Sequence, residues 1–231
     1  DRACRQCGGR FADPLAGVDL SQSPTEADLE VSADDTEVTE GELLFEGNVS
    51  LKQGYRQVTA DQVTADRAGE TASATGNVIF REPGILIRGS RIDYDSQSEE
   101  AIVTDARYVI HDRRMVGSAV QLKRLGNGEI AIDDGRMTYC SPEDPEWILY
   151  ADELEIDPVS GDAQAWGAKL KVADVPVMYL PWIRFPVDSR RKTGVLFPDR
   201  GSDTRGGVDI TTPIYLNLAP NYDLLYRPRY I

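Results

Sequence analysis

Gly47-Asn48-Val49 returns twenty-nine residues later as Gly76-Asn77-Val78, and this repeat limits the folds open to the chain more than any other feature. At the same offset Asp66 returns as Asp95, Glu70 as Glu99, Ala72 as Ala101 and Thr75 as Thr104. Val58 and Val63 are answered by Ile87 and Ile92. A period in this range that keeps β-branched positions marks a stacked array, in which each unit covers the apolar face of the next. Neither copy carries a helical stripe. Both alternate apolar and polar residues between Gly, Asn and Asp, so the unit reads as a few short strands and turns.

The pattern continues in weaker form to about Leu180. Pro83-Gly84 is a turn, because proline fixes φ at the second turn position and glycine accepts φ above zero at the third. Val116 to Leu122 and Gly126-Asn127-Gly128 form a third unit, and Trp147 to Asp157-Pro158 a fourth. The last strand pair is Ala168 to Val172 and Val175 to Leu180; Pro176 belongs only at an edge or a bulge, so the array ends near here. Two facing layers of such strands enclose an apolar interior. Closed tightly it is core; splayed, it is a groove as long as the stack. Periodicity alone favours the packed sandwich, while the scarcity of large aromatics (Phe is 5 of 231) favours the groove.

Residues 1–40 read as a flexible, acidic arm, either disordered or a solvated lead-in to the first strand. Residues 41–180 are the repeated domain, 181–205 a hinge or linker, and 206–231 a separate pair of strands. In the linker, Pro181-Trp182-Ile183-Arg184-Phe185-Pro186-Val187 is aromatic and proline-rich and leads to Arg190-Arg191-Lys192. In the final segment two alternating, Tyr-rich strands are joined by Ala219-Pro220-Asn221, in the manner of a membrane β-barrel hairpin. Pro213 and Pro228 each remove a ladder hydrogen bond there and predict a weak seam. With 25 Lys plus Arg against 39 Asp plus Glu, the formal net charge of -14 opposes nucleic-acid binding. No apolar run is long enough for a transmembrane helix, and no signal peptide is legible at Asp1-Arg2-Ala3-Cys4.

Catalytic constellations are scarce. His111 is the only histidine and no nucleophile-elbow pattern occurs. The acidic pairs Asp133-Asp134 and Asp152-Glu153 sit where turns and solvated edges would put them. Cys4, Cys7 and Cys140 allow three chemistries. A redox pair lacks the surrounding βαβ pattern. A zinc set with His111 has metal-site spacing only at Cys4 and Cys7. Structural disulfide chemistry in an oxidising compartment is preferred. The sequence implies no enzyme, cofactor or metal.

The Gly-Asn-Val repeats are joined by Tyr139-Cys140-Ser141, Val177-Met178-Tyr179-Leu180-Pro181-Trp182, Lys192-Thr193-Gly194-Val195-Leu196-Phe197-Pro198 and Leu218-Ala219-Pro220-Asn221-Tyr222-Asp223. Together, from about residue 40 to the end, they resemble LptD, the lipopolysaccharide-assembly family of the Gram-negative outer membrane. The resemblance implies an all-β chain: a periplasmic β-jellyroll, a solenoid-like stack of short antiparallel strands, followed by the opening β-hairpin of a truncated outer-membrane β-barrel. Residues 1 to about 190 would lie in the periplasm. The first strands would join a periplasmic bridge protein edge to edge, and the barrel would hold a plug lipoprotein. Pro213 and Pro228 match the family's lateral-gate prolines. Cys140 matches the family cysteine that bridges to the end of the barrel, with Cys4 or Cys7 as the counterpart of the family's first cysteine.

On that reading the protein is a non-enzymatic conduit, and lipopolysaccharide acyl chains occupy the slot. The expected groove residues are Val49, Leu51, Val58, Val63, Val78, Phe80, Ile87, Ile92, Val103, Ile110, Met137, Leu149, Leu154, Ile156, Leu170 and Val172. The competing reading is a structural β-solenoid that binds protein partners and carries no lipid.

Overall fold

A computed structural model of the chain describes residues 24, 27–66, 68–111, 115–140, 145–186, 193–195, 199–202, 208–219 and 221–230. Twelve strands form one antiparallel sheet. At its first edge β1 (Leu29–Ser32) and β2 (Asp35–Val38) lie end to end along β3 (Glu42–Gln53). The others follow in chain order, each paired with the next: β4 (Arg56–Asp66), β5 (Thr71–Glu82), β6 (Ile85–Asp95) and β7 (Glu100–Ile110). Then come β8 (Met115–Arg124), β9 (Ile130–Thr138), β10 (Trp147–Asp157), β11 (Asp162–Val172) and β12 (Val175–Pro186). The repeat period is therefore one strand out and one strand back.

Two expected boundaries differ. Residues 29–32 and 35–38, read from sequence as part of the acidic arm, are strand. Ladder bonds use the backbone alone, and charged side chains suit an edge strand facing water. At the other end β12 runs through Pro181-Trp182 to Pro186, past the end expected at Leu180. Prolines are admissible there because β12 is the terminal strand of the sheet. The arm up to residue 23, with Cys4 and Cys7, and the basic run Arg190-Arg191-Lys192 lie outside the described residues.

The strands are long but bent. Inward residues alternate every second position on either side of a mid-strand step, and at the step the interval becomes three: Ala60 to Val63, Val103 to Ala106, Ala119 to Leu122, Ala151 to Leu154, Ala165 to Ala168. In β3 and β5 it is four, spanning Gly47-Asn48 and Gly76-Asn77. Between β3 and β6 the pairing register slips by one residue at the step, a β-bulge that bends the strand and restarts its alternation, whereas from β6 to β11 the register is constant and paired strands step together. What the sequence shows as successive short strands is one strand turning a corner.

The corner has a repeated chemistry. Gly47 and Asn48 have φ of 75° and 46°, and Gly76 and Asn77 have 73° and 45°. Asn48 Nδ2 donates to Asp34 Oδ2 at 2.7 Å, and Asn77 Nδ2 donates to Asp61 Oδ2 at 2.8 Å. A Cβ on Gly47 would stand 2.6 Å from Asp34 Oδ2, and one on Gly76 2.5 Å from Asp61 Oδ2. Glycine is required twice over, for the left-handed backbone and for the space the carboxylate fills. Farther along, Ser90 Oγ donates to Asp105 Oδ2 at 2.8 Å, and Gly167 lies against Asp152.

Since every strand bends at the same level, the sheet closes over its own inner face. Val49 and Val78 are 1% exposed and Ala165 is 0% exposed. No helix or second layer among the described residues covers them. The two strand halves therefore form two walls of one folded sheet, packed across an apolar interior. The turns at the strand ends follow local rules. Gly84 has φ of 83° after Pro83, and Ala173-Asp174, at 48° and 62°, make the two-residue turn that matches strand twist. Asp66 accepts the N–H groups of Glu70 and Thr71 at 2.8 and 3.0 Å. These bonds, Glu70's foremost, hold its carboxyl below the usual range.

Beyond the sheet, β13 (Gly194–Val195), β16 (Ile214–Ala219) and β17 (Tyr222–Tyr226) form one small ladder. A second contains β14 (Asp199–Ser202), β15 (Val208–Thr211) and β18 (Arg229–Tyr230). Each of the two Tyr-rich strands expected from sequence is thus split in two at its proline. The register pairs Thr211 with Arg229 and Ile214 with Tyr226, so Pro213 and Pro228 fall in the same gap. Thr212 N donates to Pro228 O at 3.2 Å within it.

Candidate functional site

The cross-strand register places the interior side chains in two continuous rows. On one wall Leu51, Val58, Phe80, Ile87 and Tyr108 are successive partners, continued by Gly117, Met137, Leu149, Leu170 and Met178. On the other wall the row is Phe45, Val63, Ala74, Ile92 and Val103, then Leu122, Ile132, Leu154, Ala165 and Ile183. Each row crosses ten strands without a charged residue. Two buried clusters fill the interior, one around Val49, Val63 and Val78 and the other from Val103 to Ala168, and Ile92 packs against both. The apolar path is unbroken from β3 to β12.

Of the sixteen aliphatic and aromatic positions singled out from sequence, twelve pack in or against the two buried clusters and Met137 and Leu170 are buried, while Phe80 and Val172 are half-buried. Eleven are members of the two rows. Val49 and Val78 lie nearest the corner, while Ile110, Val172 and Ile156 lie toward the strand ends. Sequence reasoning missed Phe45, Tyr108, Leu122, Ile132, Ile183 and the alanines that make up much of the second cluster. The three-residue interval at each mid-strand step was the signal that could have found them.

Tyr108 is the one polar side chain in either row. A Cβ on Gly117 would come within 2.3 Å of its ring, so the missing side chain makes room for it. Its hydroxyl donates to Arg136 O at 3.4 Å, and burial pushes its pKa up to about 12. The interior is thus uncharged throughout the neutral range.

Charged groups lie on the outer face. Asp133 pairs with Lys123 at 2.8 Å, Asp134 occupies a corner at φ 49°, and Asp152 pairs with Lys169 at 3.2 Å. These acidic pairs support bends and pairing rather than converging on a reaction site. His111 follows β7, its N–H donating to Gly84 O at 2.8 Å. Cys140 is buried just after β9. A cleft of about 690 Å³ opens at one end of β4 to β7, lined by Thr64, Ser73, Asp93 and Ile102 together with Ala65, Ala72 and Tyr94. Within it Arg91 donates to Asp93, which holds that carboxyl below its usual range.

The chain has relatives among known proteins. The profile of the family described as LptA/(LptD N-terminal domain) LPS transport protein matches residues 30–162. The chain belongs to this family. It is 37% identical over 226 residues to the LPS-assembly protein LptD of Saccharophagus degradans, covering 97% of this chain and 26% of that protein. The LptD of Pseudomonas fluorescens is 36% identical over 230 residues, covering 97% of this chain and 24% of that protein. The chain spans about a quarter of the length of these relatives. Among solved structures, LptH of Pseudomonas aeruginosa, titled an LptA-homologous periplasmic component of the lipopolysaccharide transport device, aligns with a TM-score of 0.39 at 19% identity. That alignment covers 44% of this chain and 78% of LptH. The family is described as one of LPS transport proteins.

Proposed function

We propose that the folded sheet conducts lipopolysaccharide, with acyl chains between the two walls and sugars outside, and delivers it to an outer-membrane barrel formed by the rest of a longer protein. The observation that carries this reading is the pair of uncharged rows crossing ten strands. Adjacent strands lie about 4.8 Å apart, so the path is on the order of 40 Å long, enough to guide a lipid tail from rung to rung. Such an interior rejects the charged sugars and phosphates through their desolvation cost and accepts only the hydrocarbon.

The ends of the stack suit handover. Among the described residues β1 and β2 leave their outer edge without a partner strand, with Leu29 58% and Val38 59% exposed. An open edge carrying apolar residues is normally avoided unless another strand is meant to pair with it. A periplasmic bridge protein joined edge to edge there would extend both rows. At the far end the split hairpin at Pro213 and Pro228 fits the first two strands of a barrel whose seam opens sideways, with a plug lipoprotein inside. Residues 1 to about 190 then lie in the periplasm, where Cys140 and one of Cys4 and Cys7 take part in disulfides.

The test is a photo-crosslinking side chain at Val78 or Ile92 in the full-length protein with its transport partners and lipopolysaccharide. Capture of lipopolysaccharide at these positions, and none at the outward Asn77, is the expected result. Capture from Asn77 alone, or protein adducts without lipid at all three, would instead favour a β-solenoid that binds protein.

A further inference from the structure

The outer face of the last strands of the large sheet carries exposed aromatic side chains. Leu180 and Ile183 pack inward, so Tyr179 and Trp182 on β12 point away from the interior, at 59% and 51% exposure. Trp182 is the cross-strand partner of Trp166, and Tyr179 that of Lys169, whose own partner on β10 is Tyr150. Lys169 Nζ lies 6.0 Å from the Tyr179 ring centre, and Lys171 Nζ lies 4.9 Å from that of Tyr150. Two tryptophans and two tyrosines therefore share one outward patch with two lysines and the acidic Asp152 and Glu153.

We infer that this patch is a membrane-surface contact, seating the terminal rungs of the stack in the headgroup layer of a phospholipid bilayer. The chemistry selects that occupant. Trp and Tyr present a flat apolar body with a polar rim, and Lys lays its hydrocarbon stem along apolar surface while its ammonium reaches headgroup phosphates. Asp152, paired with Lys169 at 3.2 Å, and Glu153, opposite Trp166, balance the two lysines, so this face is near neutral, whereas a chain of net charge -14 is repelled from anionic lipid elsewhere. That opposition orients the stack, with only this end touching the surface. The inference does not need the interior to carry lipid, so either reading can fail alone.

The test uses the full 231-residue chain with Trp147→Phe and Trp166→Phe, which leaves Trp182 as the only tryptophan. It is mixed with vesicles of phosphatidylethanolamine and phosphatidylglycerol carrying brominated acyl chains. Trp182 emission should shift to the blue and fall at least twofold when bromines sit near the headgroups, with less quenching from deep bromines. A control chain with Trp182→Phe and Val120→Trp places the probe at an exposed position on β8 and should show no quenching. Lys169→Gln with Lys171→Gln should weaken binding to these vesicles about tenfold. Trp182 emission indifferent to lipid would overturn the inference, including the case where it is already blue-shifted in buffer because another part of the protein covers it. Equal quenching at position 120, or undiminished affinity in the lysine variant, would also overturn it.

Discussion

A methyl group added at Gly76 would stand 2.5 Å from Asp61 Oδ2 on a backbone already at φ 73°. Gly76→Ala should therefore cost about 2 kcal/mol or more, the sum of left-handed strain and a displaced carboxylate. Asp61→Ala should cost roughly 1 kcal/mol through loss of the Asn77 bond. The double variant should be less destabilised than the two costs added, since removing the carboxylate clears space for the methyl group. Urea unfolding of the three variants checks this, and simple additivity would separate the glycine from the aspartate. Tyr108 offers a second test. Its folded pKa of about 12 lies above the ordinary tyrosine value, so the fold favours the protonated phenol. That stability is complete below about pH 10 and is lost as pH rises toward about 12. Tyr108→Phe should flatten the alkaline fall in the urea midpoint while leaving its neutral value within about 1 kcal/mol.

At the scale of the strand, the sequence discloses alternation and turns well and bends poorly. Pro83-Gly84 and the Gly-Asn pairs are legible because their backbone demands are local. That Asp34 and Asp61 brace those pairs is not, since each lies fourteen or more residues from the asparagine it holds. The three-residue interval at each mid-strand step made single strands look like two, and the acidic 29–38 segment looked like solvent because its pairing uses only backbone. The prolines of the C-terminal hairpin were legible as a weakness, and the register adds that they share one gap. Replacing both, Pro213→Val with Pro228→Val, restores two N–H donors and should join the four short strands into two. Amide exchange from Thr211 to Tyr215 should slow about tenfold, about what one net hydrogen bond provides. Unchanged exchange would show that something other than the missing donors interrupts the ladder.

Across the whole molecule, each rung touches only its neighbours in the sheet, so stability and path length should both scale with the number of rungs. The repeat makes this testable without a new junction. Deleting residues 48–76 joins Gly47 directly to Asn77, so one Gly-Asn corner replaces two and the first half of β3 runs into the second half of β5. Asn77 then inherits the place of Asn48 opposite Asp34, and the inward row continues from Phe45 to Val78 at the same four-residue interval. The shortened chain should retain its β-sheet circular dichroism and unfold in one transition. Its urea m-value should drop by about one sixth, in line with two of twelve strands removed. In the full-length protein the interior should shorten by on the order of 10 Å, and lipid capture at Ile92 should persist if each rung merely extends the same surface. Loss of cooperative folding would mean that the corners are specific to their own neighbours, and the stack would then have to be treated as one indivisible unit.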